Sequence, residues 1–158
     1  LNFRILLKVL WCLLWLPLSC NKKVVVKEID SVALIEQVKS RVDAFHMADT
    51  TLNSDGVVDL LWPEFIMLAD GNYIAYDNVR EGTKAFMASL ESFDSEWKNV
   101  RIIPIGNHHA ISSFIFTDSL VAKDGTISQS QGPNTFVWEK RDGIWKVIYG
   151  DVDHYPME

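Results

Sequence analysis

The chain has 158 residues, 48% of them hydrophobic and 23% charged, with 21 acidic against 15 basic side chains and a net charge of −6. That length accommodates one domain with a real core, and an acidic balance without a Lys/Arg stripe argues against nucleic-acid binding. Both cysteines, Cys12 and Cys20, fall in the first twenty residues, so the rest of the chain has neither a disulfide framework nor a thiolate metal site.

Residues 1–20, LNFRILLKVLWCLLWLPLSC, begin with the basic Arg4 and Lys8 and continue into an apolar run over 9–18. That run is too short for a mature bilayer-spanning helix and fits the apolar region of a secretory signal. Leu18 and Ser19 before Cys20 resemble the end of a bacterial lipoprotein signal, although Pro17 departs from the usual pattern. The resemblance implies a lipid on Cys20 and an exported, membrane-anchored protein on the periplasmic side or cell surface; an ordinary cleaved signal or an uncleaved anchor is the alternative. Residues 21–28 then form a tether whose Asn21-Lys22-Lys23 suits anionic headgroups. Without the first twenty residues, 13 basic side chains stand against 21 acidic ones, a net charge of −8.

From 28 to 48, Val32, Ile35, Val38, Val42 and Phe45 recur at the spacing of one helical face, which predicts a long amphipathic helix. Ser54 precedes a short second helix with acidic residues in its first turn, stopped by Pro63. An apolar run over 65–69, a turn at Asp70-Gly71 and a short return strand over 73–76 follow. Asn78 caps a third helix over 79–92. Strands are expected over 100–105, 110–122 and 126–129, with a break at Gly132-Pro133.

The last of these elements is the most readable. In TFVWEKRDGIWKVIYGDV, Asp142-Gly143 joins two aromatic and β-branched runs, the signature of a two-residue type I′ hairpin. Its register places Trp138 opposite Val147 and Phe136 opposite Tyr149. One face then carries Phe136, Trp138, Trp145, Val147 and Tyr149, and the same parity continues to Asp151 and Asp153. The other carries Val137, Ile148 and Val152 with the Glu139–Lys146 pair. With both faces largely apolar, the sheet is expected to be covered on both sides. Helices first and a meander afterwards give an α+β fold with helices packed on one face of a curved antiparallel sheet.

This order of elements, with the DGVVDLL helix leading to Phe65, the Asp70-Gly71 turn, Lys84-Ala85-Phe86, Trp97 and the closing WEKRDGIWKVI hairpin, resembles the NTF2-like superfamily and its SnoaL-like and ketosteroid-isomerase-like members. The likeness runs from about residue 29 to 154, and residues 29–158 are taken as one domain. It implies a cone in which the sheet wraps the long helix plus two shorter ones and leaves an apolar pocket at one end. Members include isomerases, dehydratases and hydrolases as well as binding and oligomerisation modules, so function must be argued from the site.

The resemblance implies a small apolar or amphipathic ligand, with Trp62, Phe65, Tyr73, Trp97, Phe116, Trp138 and Tyr149 as candidate pocket residues. Asp151 and Asp153 stand where such members carry polar pocket residues on the last strand. Beside Trp138 and Tyr149 a carboxylate is desolvated into a useful general acid or base; solvated acids at a strand end are the alternative. His46, one turn after Val42, is placed to orient a ligand or pair with Asp151, or else to sit as a cation at a helix C-terminus. The isomerase branch carries its base on the strand after the second helix, but residues 65–69 hold no acid before Asp70, so that mechanism does not transfer. His108 and His109 share a tight turn in which neighbouring side chains diverge, and Asp151, Asp153 and His154 lack further metal ligands at a suitable spacing. No metal and no cofactor are expected. A third reading is a homodimer through the outer sheet face, with Val137, Ile148 and Val152 covered by a partner sheet.

If Cys20 carries the anchor, mass spectrometry of the exported protein will find Cys20 as an acylated N-terminus, and Cys20→Ala will release the protein into solution. An intact peptide running from Leu1 through Cys20 would sink the assignment.

Overall fold

The computed structural model describes residues 30–157. The expected signal and tether, Cys20 with them, lie outside the described residues. Among those described, no helix is long and apolar enough to cross a membrane.

Helix α1 (Ser31–Thr50) starts at Asp30, whose side chain accepts the Ala33 N–H at 3.0 Å and satisfies one of the donors that a helix start leaves free. Its buried stripe is Leu34, Val38, Val42, Phe45 and Ala48, spaced by three and four residues. Val32, expected on that stripe, is 71% exposed, because Leu34 is the residue one turn before Val38. Helix α2 (Ser54–Val58) is shorter than expected and is capped by Asn53, which accepts the Gly56 N–H at 3.0 Å, rather than by Ser54.

The chain becomes a strand already at β1 (Leu61–Ala69). Pro63 sits inside it, where the pairing with the last long strand is interrupted between Leu61 and Ile66, so its missing N–H costs no ladder bond. The turn Asp70-Gly71, with φ of +50° and +80°, returns the chain as β2 (Asn72–Ala75). Helix α3 (Tyr76–Ser89) begins ahead of Asn78 and has no side-chain cap bond. The strands β3 (Leu90–Ile105), β4 (His109–Ala122), β5 (Ile127–Arg141) and β6 (Ile144–Val152) follow, and β7 (Tyr155–Pro156) adds a short pairing to β5. Strand β3 begins directly after α3 and takes in Trp97, and β5 runs through Gly132-Pro133 without a break.

The sheet order is β2-β1-β6-β5-β4-β3. Its pairs are antiparallel apart from β1 with β6, which run parallel, a departure from the fully antiparallel expectation. The concave side closes over α1. Trp138 and Val147 have no exposed surface there, and the Trp138 indole N–H donates to Ser112 Oγ at 2.8 Å, so the largest buried side chain keeps its polar atom satisfied.

The Asp142-Gly143 turn has φ of +50° and +84°, as a type I′ turn requires. The pairs Arg141–Ile144 to Trp138–Val147 form as read from the sequence, but the next pair is Val137–Tyr149 and then Phe136–Gly150. Ile148 is an extra residue in β6, a bulge that reverses the parity of everything after it. Gly150 and Val152 therefore turn inward, and Tyr149 and Asp151 turn outward. An inward Gly150 is required by crowding: a Cβ there would meet Phe65 at 3.2 Å and Phe136 at 3.4 Å.

Beyond β6 the chain crosses back onto β5. A Cβ on Gly132 would lie 1.7 Å from the Asp153 carbonyl oxygen, so only glycine lets the two backbones approach. The Asp153 N–H donates to the Pro133 carbonyl at 3.3 Å. His154 is held from two sides by Asp70, whose carboxylate accepts the backbone N–H at 2.7 Å and faces the ring Nδ1 at 3.0 Å. Those bonds keep the Asp70 carboxyl below its ordinary range, the backbone bond contributing most.

Candidate functional site

At the end of the cone away from the hairpin turn, the sheet and the helices enclose a cavity of about 340 Å³. Its walls come from the last turns of α1, from α2 and α3, and from the inward residues of the long strands. The apolar wall is aromatic: Trp97 stacks on Phe114 at 3.9 Å between ring centroids, Phe45 packs on Phe136 at 4.8 Å, and Phe116 lies 5.3 Å from the His154 ring. Phe65 and Met67 of β1 and Phe86 and Met87 of α3 continue it.

Into this wall two carboxyl groups project, Asp49 from α1 and Asp118 from β4. Ser95, buried on β3, accepts the Trp97 indole N–H at 3.0 Å and donates its own O–H to Asp118 Oδ1 at 2.5 Å. Asp118 is raised above the usual carboxylate range by burial, against the opposing effect of the Ser95 hydrogen bond and the nearby His154 and His46. Asp49 has no such donor among the described residues. Burial, then the Asp118 charge, pushes its carboxyl up to about 7, and the partial negative charge at the α1 C-terminus acts in the same direction. Burial thus raises both carboxyls, Asp49 without a donor and Asp118 with a hydroxyl bonded to it, and unequal surroundings of this kind are what separates acid from base in a carboxyl pair.

The residues singled out in the sequence divide into three groups. Phe65, Trp97 and Phe116 line the cavity. Trp138 lies deeper, its ring centroid 6.0 Å from that of Phe136, and belongs to the core that closes the cone. Trp62, Tyr73 and Tyr149 are on the outside: Trp62 lies beneath Arg141 and Lys146 at 4.7 and 5.3 Å, and Tyr73 is 75% exposed. Asp151 pairs with Thr135 on the outer face, near Tyr149, whose phenol is raised by desolvation and then by the charges of Asp151 and Tyr73. Asp153 uses its backbone on β5, and its side chain is not among the cavity walls.

His46 neither pairs with Asp151 nor lines the cavity. Its Nε2–H donates to the Ser95 carbonyl at 2.8 Å and its ring lies 4.7 Å from Trp97, so it braces the strand that carries Ser95. His109 approaches Glu139 at 3.8 Å at the other end of the cone. Among the described residues no group of three or more His, Cys, Asp or Glu is placed to hold a metal ion.

Asp49 and Asp118 were missed in the sequence, although each carries a signal. Asp49 follows Val42 and Phe45 at the spacing of the buried stripe, and Asp118 continues the inward alternation of Phe114 and Phe116. An acid on an apolar face is the pattern that marks both.

A curved sheet around a long helix with an open aromatic end defines an NTF2-like, cystatin-like fold, and solved structures of that class superpose on the chain. Residues 73–152, just over half of the sequence, match the family model for the calcium/calmodulin dependent protein kinase II association domain, and the chain belongs to that family. A Xanthomonas campestris protein described as such an association domain aligns with a TM-score of 0.68 and 22% identity, covering 84% of this chain and 95% of that one. An NTF2-like superfamily protein from Salmonella enterica gives 0.71 and 13%, covering 81% and 94%. A type 2 hexachlorocyclohexane dehydrochlorinase gives 0.69 and 10%, covering 82% and 92%. No curated protein matches the sequence.

The Asp49 carboxyl carries a pH signature of its own. Its folded value, about 7, lies above the ordinary 3.8, so the native state binds more protons than the unfolded chain between those values and loses stability as pH rises through that window. The shift corresponds to an upper limit of roughly 4 kcal/mol at 1.36 kcal/mol per unit. Asp49→Asn should therefore be more stable than the parent at pH 8 by about 1 kcal/mol or more, with the difference shrinking toward pH 4, as read by urea unfolding at each pH. Equal stability of the two proteins at pH 8 would mean that Asp49 is solvated.

Proposed function

We propose that this domain binds a small apolar or amphipathic molecule in its cone, with the Asp49–Asp118 pair presenting the polar end of the site. The observation that carries the reading is the cavity of about 340 Å³, apolar over most of its wall with a few polar groups, Asp49 and Asp118 among them, the composition typical of small-molecule sites. The lipid on Cys20 would hold the domain at a membrane surface, with the acidic body in water.

Two further readings have observations of their own. The first is catalytic. A carboxyl that titrates near 7 beside a second, hydrogen-bonded one is equipped to move a proton on a bound molecule, and a dehydrochlorinase shares the fold. In this reading Asp49 and Asp118 take the acid–base role first assigned to Asp151 and Asp153. The second is assembly. On the outer sheet face Ile103, Ile111, Val137, Tyr149 and Ile66 lie directly opposite one another across five strands, and Ile103 and Ile66 are 56% and 45% exposed. An uninterrupted apolar row of this kind suits a second copy of the sheet, and the family is named for association. Val152, expected on that face, is turned inward by the bulge at Ile148.

Binding is checked with N-phenyl-1-naphthylamine, an uncharged dye that gains fluorescence out of water. The protein should bind it saturably, and Leu120→Trp, which fills the cavity from β4, should weaken binding at least tenfold. Fluorescence indifferent to the protein would remove the pocket reading. For assembly, sedimentation velocity should show a dimer or larger species that dissociates in Val137→Glu; a parent protein that sediments as a monomer at micromolar concentration rules this reading out.

A further inference from the structure

The cavity holds two carboxyl groups and no Lys or Arg to oppose them. Asp49, which has no hydrogen-bond donor among the described residues, and Asp118, which has Ser95, face it as carboxyl groups. A buried acceptor left unpaired costs its full desolvation, about 1–3 kcal/mol, unless a bound group supplies the donor. The one basic side chain there, His154, is already engaged with Asp70 at 3.0 Å.

The two carboxyls also repel each other. A group that relieves both features brings positive charge and several N–H donors in one small head, on an apolar body that fits the aromatic wall. We infer that the cone selects a primary amine with an aromatic or aliphatic body, its ammonium directed to Asp49 and Asp118 and its body packed against Trp97, Phe114 and Phe116. This rests on the reading of the cone as a small-molecule site and names the chemical class of its ligand.

An ammonium has three donors and no acceptor, which suits two carboxyl groups that face one cavity. Aromatic faces beside it add cation–π attraction. An alcohol of the same shape brings one donor and no charge, and a carboxylate meets like charge. The groups that face the pair are few: Asp118 on β4 faces Asp49 on α1, and His46 on α1 and His154 after β6 lie within electrostatic reach of Asp118.

The test is calorimetric titration of the full chain with tryptamine, tryptophol and indole-3-acetate, three ligands that share a body and differ in head. At pH 8 tryptamine should bind at least tenfold more tightly than tryptophol, with indole-3-acetate weakest. Between pH 8 and pH 6 the tryptamine affinity should fall several-fold as Asp49 takes up its proton, while tryptophol stays level; this series needs no variant. Asp49→Asn and Asp118→Asn should each abolish the tenfold preference and leave tryptophol binding in place. Tryptophol binding as tightly as tryptamine overturns the amine inference and leaves the apolar site standing, as does dye binding with none of the three indoles bound. Neither dye nor any indole binding overturns both.

Discussion

Everything in this structure depends on how one helix is seated in one sheet. The stripe of Leu34, Val38, Val42 and Phe45 packs into the concave side against Trp138 and Val147, and removing that apolar surface from water is the main force holding the two layers together. Because α1 fills only the end near the hairpin turn, the sheet closes there and stays apart at the other end. The last turn of α1 projects into the space that remains, and that turn carries Asp49. Core and cavity are thus two ends of one contact.

The polar groups of the cavity are positioned by the same packing. Ser95 and Ser112 are the buried polar residues among those described, and Ser95 is used on both sides, by Trp97 as donor and by Asp118 as acceptor. His46 holds the Ser95 carbonyl, so the short path from α1 through β3 to Asp118 is hydrogen-bonded throughout. A network of this kind in a low-dielectric surrounding is stiff when satisfied. Asp49 stands outside it, which is why burial acts on its charge without compensation.

The tail after β6 closes the opposite wall. Gly132 permits the Asp153 carbonyl to lie on β5, and Asp70, in the left-handed turn between β1 and β2, receives His154. The segment that reads in sequence as an acidic end is therefore a backbone clasp, and the residue it delivers to the cavity is His154 rather than either aspartate. Asp151 is left on the outer face beside Tyr149, in the part of the sheet where an apolar row crosses five strands.

The sequence by itself determined the fold class, the long helix, the α+β order and the type I′ turn, because these follow from local periodicity and from the positive φ that Asp142-Gly143 supplies. It also identified Phe65, Trp97 and Phe116 as wall residues. It did not determine the face of any residue beyond Ile148. A bulge is one added residue with no local signature, set by the packing of Gly150 between Phe65 and Phe136, and it inverted Tyr149, Asp151 and Val152. Nor did it pair Asp49 with Asp118: each lies on a periodic apolar face that can be read alone, but they are sixty-nine positions apart, and only the curvature of the sheet around α1 brings a helix end and a strand middle to one cavity.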